Sequence, residues 1–254
     1  MDSSRNTDAT SETSDDLSAL AWVHEELRRS LDAAHKALRR FMCDTLLKLG
    51  ALDVADTAEM ERTLGQLGAL LTQLRSHLQH ENDFVHTAIE ARRPAGARQT
   101  ANDHIEHLAT IRALEEEMQA LRALPAEQRM PAAHRLYRHL SLFVAENFEH
   151  MHEEETINNA TLWSLYSDEE LVALHDRLMA SIPPREVMDT VHWLAPSLNP
   201  QELAALLGDF QTKTPPEPFR HVLDLVRGRL DQTSWAKLAR ALRVPPAPGL
   251  VGMA

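Results

Sequence analysis

The sequence predicts an all-α protein: an antiparallel four-helix bundle followed by a smaller helical extension. Helix formers dominate the chain, with Ala, Leu, Glu and Arg abundant, aromatics at only 5%, and no β-branched runs of the kind strands favour. Apolar residues recur at helical spacing over four long stretches. Short connections join those stretches, as antiparallel neighbours require.

Met1 to Asp16 is rich in Ser, Thr and Asp and lacks an apolar segment, so it reads as a flexible polar tail rather than a signal peptide. From Leu17 to Leu49 the residues Leu20, Leu27, Leu31, Leu38, Met42 and Leu49 mark a first helix, with Gly50 as its stop. Asp56 and Glu59 stand at capping-box spacing and open a second helix. It runs to about Arg93, where Arg-Arg-Pro-Ala-Gly breaks it. A third helix starts near Thr100, carries Ile111, Leu114, Met118 and Leu121, and ends before Pro125. The fourth starts near Pro131 and runs through Leu136, Leu140, Phe143 and Ile157 towards Trp163. The bundle therefore spans 17–163.

Composition changes after Trp163. Ser167 and Glu170 have capping-box spacing, and prolines then punctuate the chain. Four further short helices fit between them, one with Asn199 as N-cap and Pro200 as first residue. Residues 164–244 read as a helical extension and 245–254 as a loose tail. Trp193, Trp235, Phe210 and Phe219 are expected in its core.

The formal net charge of -12 and the lack of a Lys/Arg block argue against a nucleic-acid partner. No apolar run approaches the length of a membrane span, and a cytoplasmic location is expected. The single cysteine, Cys43, rules out a disulfide within the chain and a cysteine-built metal site; a buried, inert thiol is expected.

The outlier is histidine, fourteen in all, nine of them between His77 and His152. Each residue advances a helix by about 100°, so positions four apart share a face. On the second helix Leu67, Leu70, Leu74, Val85 and Ala88 define the inward side, and His77 and Glu81 fall within it. On the fourth, His150 and Glu154 fall within the stripe of Leu136, Leu140, Phe143 and Ile157. A third His-x-x-x-Glu pair, His86 and Glu90, falls on the opposite face of the second helix and serves as a control. His35 shares the stripe of Leu31, Leu38 and Met42, while His104 and His107 flank the line through Leu108 and Ile111. Burying so many ionisable groups unpartnered would cost several kcal/mol per group. A metal centre removes that cost, and His/carboxylate ligation without thiolate suits iron, manganese or zinc, with bridging carboxylates suiting a pair of ions.

In order along the chain, His35-Lys-Ala-Leu-Arg, His77-Leu-Gln-His-Glu81, Asp103-His104-Ile-Glu-His107 and His150-Met-His-Glu-Glu154 resemble the four metal-ligand segments of the hemerythrin-like, or HHE cation-binding, family. The resemblance covers roughly residues 20 to 163. It implies two iron ions in a non-haem, oxo- or hydroxo-bridged site, with Glu81 and Glu154 bridging and His35, His77, His104, His107 and His150 as terminal ligands. The family's oxygen carriers place two histidines of the third helix four apart, whereas His104 and His107 are three apart, so one or both can serve. Their fourth-helix carboxylate is an aspartate five residues after the histidine. Here Glu155 has that spacing but points away from the core by periodicity, so Glu154 is the expected ligand.

The plain alternative for these residues is a buried hydrogen-bonded network. His24 lies about 16 Å from His35 by helical rise and cannot share its centre. Glu146 and His139 are expected to face inward, Glu146 supporting the ligands, and His80 is borderline. His86, His134, His152, His175, His192 and His221 are expected to be solvated, as is the run Glu115 to Glu117.

The leading functional expectation is a protein that binds or senses oxygen, a peroxide or nitric oxide. A diiron enzyme that reduces peroxide or oxidises iron is the second. A ferritin-like site needs two Glu-x-x-His motifs, and Glu149-x-x-His152 stands alone. A metal-free helical adaptor, docking a protein partner or a second copy through the extension, is the third.

Overall fold

The computed structural model describes residues 33–244, all helices, turns and loops, with no strand among them. The expectations for Leu20, His24, Leu27, Leu31 and the two tails lie outside these residues.

Helix α1 covers 33–50. Gly50 ends it for a reason of space, since a Cβ there would meet the Tyr137 ring at 2.9 Å. Helix α2 (Thr57–His80) is capped by Asp56, whose carboxylate accepts the Glu59 N–H at 3.0 Å. The Glu59 carboxylate accepts from Asp53 N–H instead of closing the box on Asp56. A π-helical segment, Glu81–His86, leads directly into α3 (Thr87–Arg92). Glu90 then accepts from the N–H groups of Ala95 and Ala97 and holds the turn. Helix α4 (Arg98–Ala123) is followed by α5 (Ala126–Glu153), a second π segment (Glu154–Asn158) and α6 (Asn159–Leu165). Helix α5 begins earlier than its proline suggests, with Pro131 inside it.

Helices α1, α2, α4 and α5 share one core. Leu38 and Met42 of α1, Leu64 to Leu78 of α2, Ile111 to Leu121 of α4, and Leu136 to Phe143 of α5 form a single buried apolar cluster.

The two π segments account for the misplaced residues of the helical reading. A π turn closes i→i+5 and carries one residue more than an α turn, so every residue beyond it is rotated by about 100° relative to an unbroken helix. His86, expected in solvent, is buried, and Ile157, expected in the core, is exposed while Asn158 is buried in its place. Two further corrections have other causes. Cys43 is exposed, between the buried Met42 and the next inward turn. Glu146 is exposed because Asn147 takes the inward position beside it.

Beyond Leu165 come α7 (Asp168–Ser181), α8 (Pro184–Leu194), α9 (Pro200–Lys213), α10 (Pro216–Arg227) and α11 (Gln232–Ala241). Ser167 and Asn199 form the expected capping boxes, and Asp231 caps α11. A second apolar core holds Leu203, Leu207, Phe219, Val222, Val226, Trp235 and Leu238, with Phe210 packed against it. Helix α8 lies over α1 and α2. Trp193 stacks on Phe41 with centroids 4.0 Å apart, Gln73 donates to Thr190, and Ser76 donates to Glu186 at 2.8 Å. His80 faces the same Glu186 carboxylate at 3.6 Å.

Candidate metal centre

The one-turn spacing of His77 at the end of α2 and Glu81 just after it, and of His150 near the end of α5 and Glu154 just after it, aims each pair at one point. Glu81 and Glu154 are also the first residues of the two π segments. His35 of α1 and His104 of α4 complete the cluster. The Glu81 Oε1 atom lies 3.1 Å from His77 Nε2 and 3.5 Å from His35 Nε2, whereas its Oε2 lies 3.6 Å from His104 Nε2. Glu154 mirrors it: Oε2 lies 3.6 Å from His35 Nε2, and Oε1 lies 3.5 Å from His104 Nε2 and 3.2 Å from His150 Nε2. Each carboxylate therefore spans two sets of imidazoles.

Ligand atoms fall into two groups that share both glutamates, His35/His77/Glu81/Glu154 and Glu81/His104/His150/Glu154, with all atoms of a group within 4.8 Å of one another. Atoms bound to one ion at about 2.0–2.2 Å are separated by roughly 3 Å, close to the spacings seen. Both oxygens of Glu154, Glu81 Oε2 and His77 Nε2 are buried without a hydrogen-bond partner. A carboxylate buried in that condition is costly, and a cation held between the oxygens removes the cost. The donor set fits a pair of divalent or trivalent ions.

Side chains behind the imidazoles set their orientation. His35 Nδ1 lies 2.9 Å from Glu155 Oε1, and Arg39 binds the same carboxylate through both of its terminal nitrogens. His104 Nδ1 lies 2.9 Å from Asn82 Oδ1, and His150 Nδ1 lies 3.3 Å from Asp103 Oδ2. An acceptor on Nδ1 holds the proton there and turns the Nε2 lone pair inward. The Nε2 atoms of His104 and His150 are then 2.9 Å apart with their lone pairs converging, which calls for a positive charge between them. Burial opposes protonation of His35, yet the hydrogen bonds to Glu155 and Glu81 and the charge of Glu154 outweigh it and raise its pKa to about 10. Burial likewise opposes ionisation of Glu154, but bonding to His104 and His150 holds it well below the ordinary carboxylate value. Glu155 is lowered to about 2, its hydrogen bonds to His35 and Arg39 overcoming desolvation.

Six of the seven expected ligands thus converge. His107 is buried one layer away, edge-on to the rings of Phe143 and His150, with Nδ1 unpartnered. Burial, reinforced by His150 and His104, lowers its pKa to about 4. His80 and His139 do not join; His139 binds Glu117 at 2.8 Å instead. His152 is exposed, as expected.

The chain matches no protein-family model, no curated protein and no solved structure. The residues themselves carry the functional reading.

Sequence reasoning missed the supporting shell. Glu155 was expected to point away from the core, yet it binds His35, and the signal for it was Arg39, one turn after His35. Asp103 was legible as the neighbour of His104 but serves His150. Asn82, His86, Thr100 and Asn158 form a buried network behind His104. Their participation depends on the π segments, which leave no mark in the spacing of apolar residues.

Proposed function

We propose that the chain is a hemerythrin-like metalloprotein. In this reading helices α1 to α6 make up an antiparallel four-helix bundle that would hold two iron ions, and the helices from α7 onward are an extension packed on its side. Glu81 and Glu154 would be shared by the two ions, His35 and His77 would hold one of them, and His104 and His150 would hold the other. His107, beside His150, is the remaining candidate ligand. The carrying observation is that two buried glutamates, short of hydrogen-bond donors, each divide their oxygens between two sets of imidazoles.

A pair of iron ions would supply redox change and open coordination positions for oxygen, a peroxide or nitric oxide, which the protein binds or senses. The chain's own part is to exclude water, orient four imidazoles and keep the Glu154 carboxylate ionised. Glu-x-x-His chemistry of the ferritin kind lacks support, since the histidine of that motif, His152, is exposed. A metal-free adaptor would have no reason to bury Glu154 with neither oxygen accepting a hydrogen bond.

The test is metal content and optical spectrum of protein purified without chelator, before and after exposure to air. The expected result is two irons per chain, with near-ultraviolet bands that change on reduction and reoxygenation. Less than one metal per chain after iron loading would sink the reading. Steady peroxide turnover lost on Glu81→Ala would move it from sensor to enzyme.

A further inference from the structure

Behind His104 lies a closed chain of hydrogen-bonding groups that the metal-binding atoms do not include. Asn82 Oδ1 stands between two imidazoles, 2.9 Å from His104 Nδ1 and 3.0 Å from His86 Nδ1. The far nitrogen of His86, Nε2, lies 3.0 Å from the Thr100 hydroxyl, which accepts from Asn158 Nδ2 at 3.1 Å and lies 3.2 Å from the carbonyl of Ala97. The His86 and His104 rings stack with centroids 4.6 Å apart, and His86, His104, Thr100 and Asn158 are all buried.

Hydrogens can run along these bonds in two directions. In the first, the Asn82 carbonyl accepts Nδ1–H from both rings, and Thr100 donates its hydroxyl hydrogen to His86 Nε2. His104 then presents a lone pair on Nε2 to Glu81 and Glu154. In the second, the Asn82 amide is turned by half a revolution, and its two N–H hydrogens go to the two Nδ1 atoms. Each ring then carries its proton on Nε2. His86 donates to Thr100, Thr100 donates to the Ala97 carbonyl, and His104 donates to a site carboxylate. Each neutral ring keeps one proton throughout, so no proton is gained or lost overall. Only the first direction leaves His104 a ligand.

We infer that Asn82 is a positioning residue, an amide switch that couples the direction of the His86–Thr100 chain to the ability of His104 to hold metal. The inference rests on the metal reading above. It also gives the first π segment a purpose, because that segment turns His86 inward beside Asn82.

Zinc, which is diamagnetic, is the probe. Long-range ¹H–¹⁵N NMR of the full chain reads the His86 tautomer with and without zinc, and competition with a chelating dye gives affinities of wild type, Asn82→Leu and Asn82→Asp. The expected results are His86 protonated on Nδ1 in the zinc-loaded chain and a 10- to 100-fold loss of affinity in Asn82→Leu, about the size typical of lost support to a metal ligand. Aspartate, which only accepts, should restore what leucine loses. Should Asn82→Leu fail to fold, the His86 tautomer decides. Zinc-loaded His86 protonated on Nε2, or leucine and aspartate variants of equal affinity, would overturn the switch while leaving the metal centre standing. A wild-type chain that takes up neither zinc nor iron would overturn both.

Discussion

The two largest apolar cores among the described residues are built on opposite terms. The core of α8–α11 is lined by apolar side chains, among them Leu203, Phe219, Val226, Trp235 and Leu238, and its helices are delimited by local devices: prolines at the first positions of α8, α9 and α10, and the Asn199 and Asp231 caps. The core of α1, α2, α4 and α5 is just as well filled through most of its length, from Leu64 to Leu78 on α2 for example, but ends in buried histidines and glutamates. A dry core gains from burial alone. A core that buries two glutamates among histidines has given up part of that gain, and a cation held between the carboxylates would recover it. Metal should therefore matter greatly to one region and little to the other.

The sharpest way to break this contrast is to remove the metal. A ligand present at a thousand times its dissociation constant stabilises the native state by about 4 kcal/mol, and for a chain of this size each kcal/mol moves the melting temperature by roughly 2–4 °C. Stripping metal should therefore lower the transition of the first core by about 8–16 °C in differential scanning calorimetry. Amide exchange in α10 and α11 should stay where it was. Equal loosening of both regions would mean that the extension reports on the site through α8, which bridges α1 and α2 by Trp193, Thr190 and Glu186.

The converse perturbation is Leu238→Ala, at a residue buried in the second core. Truncating a buried leucine costs about 2–5 kcal/mol, and chemical denaturation should show a loss in that range. Metal stoichiometry should not change. Leu64→Ala in the first core should cost a similar amount, so the two regions are distinguished by metal dependence and not by the worth of a leucine.

How much of this was legible follows from the same contrast. Elements set by local chemistry could be read directly: Ser167, Asn199 and Pro200 sit where cap rules place them. The His77/Glu81 and His150/Glu154 pairs were legible because a metal site needs the same 3.6-residue period that defines the apolar face. Apart from Cys43 and Glu146, the residues placed on the wrong face lie at or beyond the π segments. His86, Ile157 and Asn158 each take the face that an unbroken α-helix assigns to a neighbour, because one extra residue is held by packing around Glu81 and Glu154. The Asp103–His150 and Glu155–His35 contacts join residues on different helices, 47 and 120 positions apart, where one sequence gives no pairing information.

Within the first region, Asp103 sharpens the comparison further. It reaches His150 from α4 and takes no place among the ligand atoms. Asp103→Ala should weaken metal binding by 10- to 100-fold, about 1.4–2.7 kcal/mol. Asp103→Asn should recover part of it, since its amide oxygen still accepts from Nδ1–H. Metal titration checks both. An alanine variant with unchanged affinity would mean that packing against His107 and His104 suffices to aim His150.

The smallest expected effect belongs to the junction between the regions. Ser167 accepts the Glu170 N–H and Glu170 returns the bond to Ser167, while the Glu170 carboxylate also pairs with Arg92 at the end of α3. Ser167→Ala removes half of the box and should cost about 1 kcal/mol. The Arg92–Glu170 pair is well exposed and adds little by itself. Metal affinity should be unmoved, because Ser167 and Glu170 touch none of the helices at the site except through α3. A loss of metal affinity in Ser167→Ala would show that α7 holds α3 in register, and through it the π segment that begins at Glu81.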